Sequence, residues 1–196
     1  PAVGHSEVRN AAILFIDVRS FTRNAETLPP NKVMDVLARY QEAALPLILD
    51  HNGRIDKFMG DGIMATFGAV EPSESYAADA IRAAASVTSL LDELEQEFID
   101  LGWPAAFQTG AAVASGTVTV GVVGTQDRLE FTVIGNAVNL AAKLESANKL
   151  HETRVLTDQA TYETARKQGY DDAPNEIREN AQVPGVAHSV DVVVVR

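Results

Sequence analysis

The chain has 196 residues, 46% of them hydrophobic and 22% charged, which predicts one soluble domain with a sizeable core. A formal net charge of −11 argues against a general nucleic-acid or anionic-membrane surface, because both need a basic footprint; an anionic substrate is expected to bring its own metal. There is no cysteine, so disulfides, thiolate zinc sites and cysteine nucleophiles are excluded, and metal ligands must be oxygen or histidine.

The four histidines, His5, His51, His151 and His188, lack ligand spacing and are expected in surface or loop roles. Oxygen-liking metals, chiefly magnesium or manganese, remain. No apolar run reaches the ~18 residues of a membrane helix, and no signal-peptide pattern opens the chain. A start at Pro1 suggests a processed or excised piece, with further domains expected upstream.

Residues 11–18 predict a strand, followed by a turn at Ser20-Phe21-Thr22 and a helix over about 31–50 that Gly53 ends. Arg54–Phe58 and Ile63–Phe67 predict a hairpin closed by Gly60-Asp61-Gly62. A long amphipathic helix is expected over about 75–100, stopped by Gly102 and Pro104; its acidic residues Asp92, Glu93, Glu95, Glu97 and Asp100 suit a solvated face. Residues 106–114 and 117–123 predict paired strands around Ser115-Gly116, and 129–133 another strand. Gly135 leads into a helix over about 137–149, with Val138, Leu140, Ala141, Leu144 and Ala147 at helical spacing. A strand at 154–156, a helix capped at Thr157-Asp158 and a strand at 190–195 follow, while 168–189 reads as irregular and mobile. The sum is one α+β domain over residues 1–196, helices packed on a mostly antiparallel sheet.

Asp17 and Asp61 carry the functional signal. Asp17 closes the nearly unbroken apolar run from Ala11 to Ile16, and an ionised group there must be wet, paired or metal-bound. Each aspartate has a second reading, Asp17 as the end of a buried strand and Asp61 as ordinary hairpin-turn chemistry. If one sheet joins them, the pair can hold two divalent metals.

The strings FIDVRSFT (15–22), DKFMGDGIMATFG (56–68), GTVTVGVVG (116–124) and FTVIGNAVNLAAKLE (131–145), in this order and spacing, resemble the catalytic domain of class III adenylyl and guanylyl cyclases, over about residues 8–160. The resemblance implies a ferredoxin-like sandwich that works as a head-to-tail homodimer, with two active sites each built from both subunits. It makes Asp17 and Asp61 the ligands of two Mg2+ or Mn2+ ions, with the backbone carbonyl of Ile16 or Val18 near a metal. Lys57 matches the purine-reading lysine and Thr132 its partner, which favours ATP; guanylyl members place an acidic residue at the Lys57 position. Asn139 matches the ribose-orienting asparagine. Residues 18–22, including Phe21 and Thr22, match the phosphate-cradling loop, with Arg19 near the triphosphate. Arg128 either contacts phosphate or pairs with Glu130 or Asp127.

Outside the resemblance, Lys57 is an ordinary solvated charge, Thr132 a good strand former and Asn139 a poor helix former. Threonine at position 132 resembles the branch often linked to bicarbonate or carbon dioxide. Two positions depart from the family pattern. Lys143 stands where the family has an arginine that stabilises charge on the α-phosphate, keeping the charge without the planar fork. Near 183–192, Pro184 or Val186 occupies the expected place of a phosphate-binding lysine. The resemblance thus implies a cytoplasmic ATP-cyclising enzyme; the rival expectation is a degenerate cyclase domain acting as an ATP-binding or dimerising regulatory module. A palm-type polymerase or dinucleotide cyclase would show two adjacent acidic residues in the hairpin turn, where this chain has Gly-Asp-Gly.

Overall fold

The computed structural model describes residues 3–196. The chain runs β1 (Ser6–Val18), α1 (Phe21–Ala25), α2 (Pro30–Asp50), β2 (Arg54–Met59), β3 (Gly62–Phe67), α3 (Tyr76–Glu93), α4 (Glu95–Asp100) and β4 (Thr109–Thr125). It continues with β5 (Arg128–Ile134), α5 (Asn136–His151), β6 (Val155–Asp158), α6 (Gln159–Lys167), β7 (Glu176–Ala181) and β8 (Val190–Val194). The sheet order is β2-β3-β1-β4-β6-β8-β7, with β5 paired to the far half of β4. Its first four strands, read from β4 to β2, give the 4-1-3-2 order of a ferredoxin-like βαββαβ unit. Among the strands of the described residues, β4 with β6 is the one parallel pair, and an isolated parallel bridge joins Val3 to Val122.

Helices cover both faces, which is why β1 reads as a continuous apolar run. Ala12, Leu14, Ile16 and Val18 pack with Val36, Tyr40, Ala84 and Val87 of α2 and α3. Ala11 and Ile13 pack with Ala137, Ala141 and Leu144 of α5 on the other side. Small residues let α3 and α5 lie close to the sheet, since every buried position of α5 except Leu144, Glu145 and Asn148 is alanine. Among the described residues no helix is long and apolar enough to cross a membrane.

Five expectations need correction. Ser115-Gly116 is not a turn: β4 runs through it as one strand of 17 residues, because both residues pair with Ala12 and Ala11 of β1 and the Ser115 N–H donates to Thr161 Oγ1 at 2.9 Å. The long helix over 75–100 breaks at Leu94, separating α3 from α4. The Ser20-Phe21-Thr22 turn is instead the start of a short helix, α1, entered through Ser20 at φ 52°. The stretch 168–189 holds a strand, β7, whose pairing with β8 shifts between Arg178 and Ala181. The acidic stretch is also more than a solvated face, since Asp92 accepts hydrogen bonds from both Arg154 and Arg196.

Candidate active site

The end of β1 and the β2–β3 hairpin bring the two aspartates together. Side chains alternate along β1, so Ile16 and Val18 enter the layer under α2 and α3 while Asp17 points toward α5. Asp61 sits in a two-residue loop between the paired Met59 and Gly62, with Gly60 at φ 61° in the left-handed region that a tight hairpin requires. The Val18 N–H donates to Asp61 Oδ2 at 3.0 Å, which ties the loop to the end of β1. Asp17 and Asp61 consequently share two adjoining clefts. One, of about 270 Å³, is bounded by Ile16, Met59, Ala142 and Glu145. The other, of about 360 Å³, is bounded by Val18, Phe21, Thr22, Arg23 and Lys149.

The donor set fits a hard divalent cation. Asp17 Oδ1 is buried without a hydrogen-bond partner, and Ile16 and Val18 bring only backbone to these clefts because their side chains are buried. Carboxylate and carbonyl oxygens are the ligands that magnesium and manganese favour. Among the described residues no three His, Asp or Glu side chains converge as a closed metal cage, so water and substrate oxygens would complete the coordination. Burial is the main cause that raises the Asp17 carboxyl above its ordinary pKa, and the charge of Asp61 adds to it.

Asn139 and Lys143 lie elsewhere. They project from α5 into a cleft of about 730 Å³ that also takes in Thr117, Asp158, Val186 and His188. The helix thus presents Ala142, Glu145 and Lys149 to the aspartates and the predicted Asn139 and Lys143 to the second cleft. Gly185, at φ 85°, lies against the Lys143 stem: a Cβ there would sit 3.3 Å from Lys143 Cε. The segment around Pro184 and Val186 therefore packs beside Lys143, and the basic side chains lining this cleft are Lys143 and His188.

Lys57 and Thr132 are on different strands, β2 and β5. A bulge between Ile55 and Lys57 re-aims the lysine, whose Nζ lies 3.5 Å from Asp56 Oδ2 and 3.7 Å from Glu130 Oε1. Burial raises the Asp56 carboxyl, and the Lys57 ammonium opposes that rise. Thr132 is half-buried in a small cleft with His5 and Ser6. Arg128 is almost fully exposed and lies 3.9 Å from Glu130, the ion-pair alternative of its two readings.

Two expectations about the phosphate loop change. Arg19 turns inward rather than toward the clefts, donating from Nη2 to the Thr153 carbonyl at 3.1 Å. The N–H groups of Val18 and Arg19 are already taken, by Asp61 and by the Gln108 carbonyl, leaving the first turn of α1 at Phe21 and Thr22 beside the aspartates.

Sequence reasoning missed Glu145. It is 6% exposed on α5 and lines the same cleft as Asp17; burial, then the neighbouring Asp17 carboxyl, push its own carboxyl up to about 9. The signal was present, because Glu145 falls four residues after Ala141 and so inside the apolar stripe of the helix.

This fold and paired-carboxylate site define a nucleotide cyclase domain, and comparison with known proteins agrees. Residues 3–193 match the adenylate and guanylate cyclase catalytic domain family. The chain is 35% identical over 161 residues to the terminal-differentiation-specific adenylate cyclase of Dictyostelium discoideum, covering 82% of this chain and 7% of that protein. It is 33% identical over 147 residues to adenylate cyclase 1 of Rhizobium meliloti, covering 75% of this chain and 22% of the relative. Among solved structures, the adenylyl cyclase CyaB from P. aeruginosa superposes with a TM-score of 0.85 at 25% identity, covering 98% of this chain and 96% of that one. The guanylyl cyclase Cya2 superposes equally well, with a TM-score of 0.85 at 31% identity, covering 97% and 93%. The chain belongs to the class III adenylate and guanylate cyclase catalytic domain family.

Proposed function

We propose that this chain is the catalytic domain of an adenylyl cyclase, two copies of which pair head to tail and convert ATP to 3′,5′-cyclic AMP and pyrophosphate. The observation that carries this reading is the division of the site: the aspartates line one side of α5 while Asn139 and Lys143 line a separate cleft on the other. Neither set is a complete active site, and a second copy supplies the missing half.

In this reading Asp17, Asp61 and the Ile16 carbonyl hold two magnesium or manganese ions. Bound there, the ions lower the pKa of the ribose 3′-hydroxyl and neutralise the phosphates. The 3′-hydroxyl gives up its proton to water as its oxygen attacks the α-phosphorus in line, the bond to the bridging oxygen of the β-phosphate breaks, and pyrophosphate leaves. Phe21 and Thr22 face the triphosphate from the start of α1. From the partner copy, Asn139 orients the ribose and Lys143 faces the charge that builds on the α-phosphate.

The base is read by Lys57 donating to adenine N1 and the Thr132 hydroxyl accepting from the exocyclic amine. Asp56 and Glu130 flank Lys57 and hold its ammonium at the hairpin. Arg128, paired with Glu130 in the single copy, is the further candidate for a phosphate contact. We place the domain on the cytoplasmic side, where ATP is, without direct membrane or nucleic-acid contact. A regulatory domain elsewhere on the same polypeptide belongs to the proposal, in line with relatives of which the chain spans only a part.

Lys143 favours a second reading, a regulatory module that binds ATP without turnover, because an ammonium lacks the bidentate grip of guanidinium. Incubating concentrated domain with ATP or GTP and Mg2+ or Mn2+ separates the two. Metal-dependent cyclic AMP that Asp61→Ala abolishes is the expected result. ATP binding without product, unrescued by Lys143→Arg, would support the module.

A further inference from the structure

Beneath Asp17 lies a largely buried layer of charged side chains. Arg19 follows Asp17 by two residues, and Gly110 is the residue of β4 paired with Asp17. The Arg19 guanidinium occupies the space that a side chain at 110 would fill: a Cβ there would sit 2.4 Å from Nη2, 2.7 Å from Cζ and 3.0 Å from Glu145 Oε1. From this niche Nη2 donates to the Thr153 carbonyl at 3.1 Å, and Nη1 lies 3.8 Å from Glu145 Oε1. The Glu145 side chain is 9% exposed and Arg19 15%, and Arg19 Nη1, Glu145 Oε1 and Asp17 Oδ1 are all buried without a conventional partner.

Burying a guanidinium is costly unless its charge is compensated, and a single carbonyl bond leaves Arg19 short of full compensation. The charge that balances it is that of Asp17, reached across Glu145, whose Oε1 lies 3.8 Å from Nη1. The same attraction restrains those carboxyls. Outer-layer partners of this kind fix the orientation of metal ligands.

We infer that Arg19 and Glu145 are positioning residues that fix the Asp17 carboxylate as a metal ligand, and that position 110 is glycine because this guanidinium occupies its side-chain space. The inference rests on the proposed role of Asp17. It assigns Arg19 to the support of the metal site and not to the triphosphate.

Gly110→Ala tests it without altering any charged group. Mn2+ binding is measured by electron paramagnetic resonance with saturating 3′-deoxy-ATP, which cannot cyclise, and the analogue's own affinity is measured separately. Gly110→Ala and Glu145→Leu are expected to weaken Mn2+ by on the order of tenfold or more, the usual effect of losing an outer-layer partner, with analogue affinity changed far less. Glu145→Gln, which keeps the size and a polar head group between Arg19 and Asp17, should retain most of the Mn2+ affinity. The double variant Arg19→Ala/Gly110→Ala removes the clash and should regain thermal stability without regaining Mn2+.

Recovery of Mn2+ binding in the double variant would overturn the inference, since the clash alone would then explain the loss. So would unchanged Mn2+ binding in folded Gly110→Ala, or a loss of analogue affinity in place of metal affinity. Should Gly110→Ala not fold, the contrast between Glu145→Leu and Glu145→Gln decides, equal behaviour counting against the inference. Failure of the underlying reading looks different: wild-type Mn2+ binding would then survive Asp17→Asn.

Discussion

Lys57 shows how a single residue gains meaning from its surroundings. A lysine on a strand is ordinarily a solvated charge, but here a bulge re-aims it and two carboxylates flank it at 3.5 and 3.7 Å. In the proposed reading its ammonium donates to adenine N1, and a hydrogen bond to a charged group contributes about 1.5–3 kcal/mol. Lys57→Glu is therefore expected to lower kcat/KM for ATP by about tenfold to a hundredfold, more than it lowers that for GTP. Unchanged ATP kinetics in a folded variant would refute the base-reading assignment. Arg19 is the opposite case: the resemblance of its loop to the family's phosphate-cradling segment implied the triphosphate, and the side-chain space left by Gly110, which sequence spacing does not reveal, took it inward.

Among the elements, α5 and its successor β6–α6 hold the clefts in register. Asp158 ends β6 and caps α6, accepting from the Thr161 N–H at 3.3 Å and from Thr161 Oγ1 at 2.6 Å. Asp158→Ala should cost about 1 kcal/mol, read by denaturant unfolding, and Asp158→Asn much less because asparagine caps as well. Burial raises the Asp158 carboxyl above its unfolded value, its hydrogen bonds with Thr161 opposing. The sign follows: the part of stability linked to this proton is complete below the unfolded pKa of 3.8 and declines as pH rises through the higher folded value. The Asn variant should lose that part of the pH dependence, and an identical slope in both proteins would contradict the assignment.

Most elements were legible because their periodicity is local: the apolar run of β1, the glycine-flanked hairpin and the stripe on α5 each announce themselves. The misreadings arose where tertiary pairing overrode local chemistry. Ser115-Gly116 has turn-forming residues, yet β1 and Thr161 hold it extended. Glu145 reads as surface charge until its place in the apolar stripe is noticed. The aspartate pair was legible only because Asp61 lies in a loop that returns to β1, a contact that sequence order does not contain and the family resemblance supplied.

For the whole molecule, the central claim is that one copy holds two unlike halves of an active site on opposite sides of α5. Head-to-tail pairing of two copies would place the aspartates of one against Asn139, Lys143, Lys57 and Thr132 of the other. The direct test is complementation. Asp61→Ala and Asn139→Ala chains are each assayed alone for cyclic AMP formation, then mixed so that copies exchange. Each should be nearly inactive alone, while the equal mixture should recover about a quarter of wild-type turnover, since half the dimers formed at random carry one intact site. A mixture no more active than its components, under conditions where exchange of copies is demonstrated, would contradict the shared site.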